Sequence, residues 1–276
     1  MTKTKSEKKL TAAGARYWIY NPDGKTTIVA IHGLRGTHHG LQFIAASLPQ
    51  YRLIIPDLPG FGESKPLRSK HDVKNYEKWL AKFIDELNLK TKPVLLGHSF
   101  GSIIASEFAS QNQRKISKLI LINPISLHGN RFGSFVGKSY YKLSQFLPEK
   151  TGTRLLKSQA ATTVMTEAML STKNKELRER VYEQHFAYFG TFANRRSVNE
   201  AFSATMSGSV LPFAEKLTMP VLLIVGARDH LAPLKGQARL YKKLSNGQLQ
   251  IIPSVGHLIH YETPEKAAEM IEKFVN

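Results

Sequence analysis

The 276-residue chain contains no cysteine. Disulfides, zinc–thiolate centres and cysteine nucleophiles are thereby excluded, and the composition suits a reducing compartment. No run of roughly 18 apolar residues occurs, so no transmembrane helix is expected. The opening stretch, Met1 to Leu10, is rich in lysine and leads into no apolar core, so no secretory signal is expected either. On these grounds the chain reads as soluble and cytoplasmic. Acidic residues are scarce: 21 Asp and Glu stand against 39 Lys and Arg, a net charge of +18. Such a charge can draw nucleic acid, anionic lipid or acidic substrates. Here, however, Lys65, Lys70, Lys74, Lys78 and Lys82 alternate with apolar and acidic residues. No recognition-helix, RNA-binding or zinc-finger signature accompanies them. The charge reads as a basic solvated surface, with no nucleic acid partner expected. No Gly-x-Gly-x-x-Gly follows the first strand, no phosphate loop is present and no metal-ligand cluster stands out, so no cofactor and no metal are expected.

What is present is a rhythm. Short apolar runs at Arg16–Tyr20, Thr26–Ile31, Tyr51–Ile55, Val94–Leu96 and Leu119–Ile122 suit strands. Helical spacing lies between several of them, for example Tyr76, Trp79, Leu80, Phe83, Ile84 and Leu87. The alternation breaks from Ser126 to Leu217, which has helical stretches and no strand-type run, and resumes at Val221–Val225, Leu249–Ile252 and a closing helix, Pro264–Val275. Pro264 opens that helix behind Thr263, whose hydroxyl is placed to cap it. Continuous apolar strands alternating with helices predict an α/β fold, a parallel sheet covered on both faces. Residues 1–125 and 218–276 form the expected core, and 126–217 an inserted helical cap.

Within that frame the stretch Pro93 to Ser102, PVLLGHSFGS, runs strand, Gly-His-Ser-Phe-Gly, helix. This is a nucleophile elbow: a serine on a strained turn, with glycines at 97 and 101 because side chains there would strike neighbouring backbone. The helix N-terminus beyond it favours negative charge developing near Ser99. A serine hydroxyl needs a base, and the base needs an orienting acid. Downstream, Asp229 ends a strand in VGARDHLAP, and His257 follows the last strand in PSVGHLIHYETPE. Each lies past the carboxyl end of a strand, where open α/β sheets form their sites. Other candidates were weighed. His260 is an alternative base, His98 and His230 read as packing, and Asn123 follows a strand but is an amide that cannot balance an imidazolium.

Four motifs in order, His32-Gly33, Asp57 to Ser64 (DLPGFGES), the elbow and the Asp229…Gly256-His257 pair, make the chain similar to the α/β-hydrolase superfamily. The resemblance is to its branch of small capped esterases and carbon–carbon bond hydrolases, from about Arg16 to Val275. It implies a mostly parallel sheet of about eight strands with helices on both faces. It also implies a Ser99–His257–Asp229 triad and an oxyanion hole built from the backbone N–H groups of Leu34 and Phe100. Asp57 would brace its loop, and His32 would support the oxyanion loop from below. Serine at 99 disfavours haloalkane dehalogenases and epoxide hydrolases, which place aspartate there. The expected substrate is a small or medium ester with an apolar acyl group, held against Leu34, Phe100, Phe132, Phe135, Tyr140, Phe186 and Leu231 by a monomer or homodimer. A carbon–carbon bond hydrolase of ring-cleavage products is the alternative, with Arg131, Arg154, Arg195 and Arg196 as candidate contacts to an acidic substrate. A non-catalytic receptor or interaction protein on the same fold remains open.

Overall fold

The computed structural model describes residues 6–11, 14–129 and 131–276, with 131–135 described by their backbone only. Its centre is one eight-stranded sheet. The strands are β1 (Ser6–Leu10), β2 (Arg16–Tyr20), β3 (Thr26–Ile31), β4 (Tyr51–Pro56), β5 (Val94–His98), β6 (Lys118–Ile122), β7 (Val221–Gly226) and β8 (Gly247–Ile252). They lie in the order β1-β2-β4-β3-β5-β6-β7-β8. β1 pairs antiparallel with β2, and β2 with β4; every later pair is parallel.

The run of apolar residues without alternation in β3, β5, β6 and β7 has a simple cause: both faces are covered. Along β6, Leu119 and Leu121 enter the hydrophobic cluster on one face, while Ile120 and Ile122 enter the cluster on the other. The first face packs against α2 (Val73–Glu86) and α3 (Phe100–Gln111), through Leu80, Phe83, Ile104 and Phe108. The second packs against α1 (His38–Ala46) and α11 (Pro264–Val275), through Leu41, Ile44, Ile271 and Phe274. Each fully buried Leu, Ile or Phe contributes roughly 1.5–3 kcal/mol of burial. The sheet is therefore a rigid platform whose strand ends hold their loops in place.

Two elements depart from the expectation. β1 is fully exposed and lysine-rich, so no apolar pattern announces it. It is an edge strand added by backbone pairing, with Lys8 also meeting Glu63 and the Trp18 ring, and its lysines discourage further edge-to-edge association. A short helix, α10 (Ile259–Glu262), precedes α11, and the Thr263 between them makes no side-chain cap. Its hydroxyl is buried without a hydrogen-bond partner, because the linker adopts the bend that joins two helices.

Between β6 and β7 lie α4 (Arg131–Phe146), α5 (Glu149–Leu156), α6 (Gln159–Met169), α7 (Lys175–Tyr188) and α8 (Arg195–Ser207). No strand interrupts them among the described residues; an isolated bridge ties Phe192 to Phe61. Leu156, Val198 and Ala201 share the cluster of the first sheet face. α5 and α8 thus share the core of the sheet. α9 (Leu234–Tyr241) follows β7.

Candidate active site

β5 ends at His98, and Ser99 takes φ 53, ψ −118 before α3 begins at Phe100. A left-handed φ at a non-glycine residue is uncommon and strained. The flanking glycines permit it: a Cβ at Gly97 would lie 2.5 Å from the Gly101 carbonyl oxygen, and one at Gly101 2.3 Å from that of Ile31. The turn is pinned by the Ser99 N–H, which donates to the Ile122 carbonyl at 3.1 Å. Ser99 Oγ sits 2.8 Å from His257 Nε2, and His257 Nδ1 sits 2.7 Å from Asp229 Oδ2. The other carboxylate oxygen of Asp229 accepts the N–H groups of Leu231 and Ala232, at 2.8 and 2.9 Å. Burial alone would raise the Asp229 carboxyl; the nearby His257, its hydrogen bond and the two amides outweigh that and hold it below the ordinary carboxylate range. All three side chains are buried. A hydroxyl bonded to an imidazole, itself fixed by an ionised carboxylate, can lose its proton as the oxygen attacks a carbonyl.

The surrounding residues hold this geometry. Asn123, φ 43, donates from Nδ2 to the carbonyls of Gly256 and His257, at 3.0 and 2.9 Å, and accepts the Gly226 N–H at 2.8 Å. The amide that could not serve as the acid thus sets the loop carrying His257. His98 packs behind the elbow, its Nε2 3.2 Å from the His257 carbonyl oxygen and its ring 4.3 Å from that of His260. Burial and the nearby His257 lower His98 to about 3; burial, reinforced by His98 and His185, takes His260 well below its ordinary value. Both imidazoles are therefore neutral near pH 7, and neither is hydrogen-bonded to Ser99. His32 accepts the Leu58 N–H at Nε2 and faces the Gly33 carbonyl through Nδ1, at 2.9 and 2.8 Å. Asp57 accepts the N–H groups of His38 and Glu63, which holds the loop after β4. His230 is exposed, not packed, and borders the cavity beside Leu231.

Ser99 and His257 open onto a cavity of about 610 Å³ between the strand ends and the helices α4, α6, α7 and α8. Leu34 and Leu231 line it. Three other side chains expected there lie elsewhere. Phe100 is fully buried in the core, edge-on to Tyr76, because the elbow turns its side chain under the sheet edge while its N–H stays at the start of α3. Tyr140 sends its hydroxyl to the Leu155 carbonyl, 2.9 Å away. Phe186 is 43% exposed and tilts against Tyr182. The side chains of Phe132 and Phe135 lie outside the described residues. In place of Tyr140 and Phe186 the cavity is lined by Tyr141 and Phe189, with Met165, Met169 and Phe202. The i, i+4 spacing of Met165 and Met169 on α6 was the available sequence signal.

None of the candidate arginines with a described side chain faces the cavity. Arg154 is exposed, Arg195 is held by Glu149 and two carbonyls, and Arg196 by Glu200 and Ser69; the side chain of Arg131 lies outside the described residues. Two other arginines line it: Arg35, one residue past Leu34, and the exposed Arg228, which immediately precedes Asp229.

With this geometry in view, comparison with known proteins is direct. Residues 26–264 match the α/β hydrolase fold family, and the chain belongs to that family. It is 26% identical over 272 residues to YugF, an uncharacterised hydrolase of Bacillus subtilis, covering 94% of this chain and 93% of that one. It is 27% identical to a second B. subtilis protein, provisionally named a 2-succinyl-6-hydroxy-2,4-cyclohexadiene-1-carboxylate synthase, covering 95% of each chain. Among solved structures, a thermophilic esterase from Thermogutta terrifontis superposes with a TM-score of 0.76 at 19% identity, over 98% of both chains.

Proposed function

We propose that this protein is a serine hydrolase that cleaves small to medium carboxylic esters through an acyl-enzyme. The observation that carries the reading is the Ser99–His257–Asp229 chain of hydrogen bonds, at 2.8 and 2.7 Å, opening on a cavity lined mostly by apolar side chains. Ser99 Oγ attacks the acyl carbon while its proton passes to His257 Nε2. Asp229 balances the imidazolium. The oxyanion is received by the N–H groups of Leu34 and Phe100, each worth about 3 kcal/mol of barrier in comparable sites. The tetrahedral adduct collapses, His257 returns the proton to the departing alcohol, and the acyl group stays on Ser99. Water then attacks with His257 again as base, releasing the acid and restoring the serine. No cofactor or metal enters these steps.

Residues 126–217 act in this reading as a cap over a core formed by 1–125 and 218–276. The cap excludes water and shapes the acyl pocket, supplying none of the three reacting groups. The relative named for a carboxylated ring compound keeps a second reading, carbon–carbon bond hydrolysis by the same triad. Against it, Arg195 and Arg196 are engaged by carboxylates and carbonyls and the exposed Arg154 does not line the cavity, although Arg228 of the core does. A panel of p-nitrophenyl esters of increasing chain length, assayed beside a ring-cleavage product, separates the two. Labelling by a fluorophosphonate on Ser99 is expected in either case, and its absence would point to a non-catalytic protein on this fold.

A further inference from the structure

Resting on the proposed oxyanion hole, we infer that Arg35 is a positioning residue, a strut through which the helices between β6 and β7 hold the loop carrying Leu34. Arg35 is the largest fully buried side chain in the protein, 2% exposed, and no carboxylate pairs with it among the described residues. A buried guanidinium without a counter-ion needs another source of negative potential. Two helix ends supply it. Nη2 donates to the carbonyl of Leu156, the last residue of α5, at 2.6 Å, and Nε to that of Phe189, just past α7, at 3.0 Å. Both oxygens belong to helix C-termini, which lack intrahelical partners and carry partial negative charge. Nη1 faces the Met165 sulfur of α6 at 3.7 Å, and the guanidinium carbon lies 5.1 Å from the Phe189 ring centroid and 5.8 Å from that of Phe192. One side chain thus joins α5, α6 and α7.

Its backbone end is equally constrained. Gly33 to Gly36 closes a tight turn through the Gly36 N–H and the Gly33 carbonyl, at 3.0 Å, and Arg35 sits inside it at φ 59. Glycine would occupy that backbone at less cost. An arginine held there by its side-chain contacts fixes the orientation of the preceding Leu34 peptide, the proposed oxyanion donor. Closure of the helices over the cavity and alignment of the donor become one event, and displacements of about 1 Å at such a site cost about a hundredfold in rate.

The test compares Arg35→Met, Arg35→Gly and Arg35→Lys with the parent in the intact chain. Three quantities are read: kcat and KM on the preferred p-nitrophenyl ester, the affinity of a trifluoromethyl ketone that forms an oxyanion adduct, and amide hydrogen exchange. For Met and Gly, kcat and ketone affinity are expected to fall together by about ten- to a hundredfold, with KM moving less than about threefold. Gly relieves the backbone yet removes the strut, so it should lose as much as Met. Lys keeps the charge but cannot span two carbonyls from a single ammonium, and should recover only part. Amides of residues 33–36 and of the ends of α5 and α7 should exchange faster together. Parental kcat in Met or Lys overturns the inference, as does a parental Arg35→Gly, or a change confined to KM or to anionic esters. Should Met not fold, Lys carries the same readings. If the parent cleaves no ester, the esterase reading fails; the strut is then judged on exchange alone, and unchanged exchange at 33–36 overturns it.

Discussion

At the sheet, Ser99, Asp229 and His257 each follow a strand end, and each is aimed by backbone that has no alternative. A Cβ at Gly97 or Gly101 would fall within 2.5 Å of a carbonyl oxygen, and Asn123 ties the histidine loop, through two hydrogen bonds, to the end of β7, through a third. Between β6 and β7 the aiming is different. There, Phe146 and Val164 are 77% and 65% exposed, and the cavity wall is assembled from residues of α4, α6 and α8 and the end of α7, such as Tyr141, Met165, Phe202 and Phe189. Orientation in the sheet comes from local backbone constraint, and orientation in the helices from how they pack on one another. The first tolerates almost no change, whereas the second leaves room for variation.

The largest expected effect tests the sheet. Ser99→Ala should lower ester turnover on the order of 10⁶-fold in a folded protein; near-parental turnover would remove the basis for the reaction. Asp229→Asn should keep the fold and cost about 10⁴-fold, since an amide holds His257 in the wrong tautomer. Steady-state kinetics beside circular dichroism measures both.

A third expectation concerns acid. His98 at the sheet and His185 in α7 are both lowered to about 3, chiefly by burial. Their unfolded value is about 6.5, so below that pH the unfolded chain binds protons that the folded chain refuses. Their contribution is complete above about pH 7 and is lost as pH falls from 6.5 toward 3, at about 1.4 kcal/mol per pH unit for each. Calorimetry from pH 7 to 4.5 should show Tm falling in one transition, because Leu156 and Val198 share the sheet's hydrophobic cluster. His185→Gln should flatten the slope of that single transition. Two transitions, only one of them sensitive to His185→Gln, would divide the molecule into independent units.

The smallest effect belongs to the helices. Alanine at Tyr141, Met165 or Phe189 should shift the ratio of rates between short and long acyl esters by about 1–3 kcal/mol, while fluorophosphonate labelling of Ser99 persists. An unchanged chain-length profile across all three would mean that the cavity wall does not read the acyl chain.

The contrast also explains what could be read in advance. Strands β2 to β8, the longer helices of the core and the strandless interval were legible because each carries its own apolar period or its own breaker residues, whereas the four-residue α10 is too short to show one. β1 was not, since SEKKL has no apolar alternation. At the site, Ser99, Asp229 and His257 were visible as strand-end residues in order. Tyr140, Phe186 and Phe189 are among the aromatic residues the sequence suggests for the cavity; of these Phe189 lines it, with Tyr141 in place of Tyr140. One residue is 100° on a helix, and no local rule fixes which side of α4 faces inward.

By itself the sequence determined the alternation that makes a doubly covered parallel sheet, and the short motifs whose glycines and strand ends leave a single conformation open. These are local consequences of sterics and hydrophobic period. Only the tertiary structure decided the rest: that Asn123 holds the histidine loop, that His98 and His260 stay neutral through burial, and that Arg35 reaches the ends of α5 and α7. Each of these depends on groups more than a hundred residues apart in sequence meeting in space, as Arg35 meets Leu156 and Phe189, and no window along the chain contains both partners.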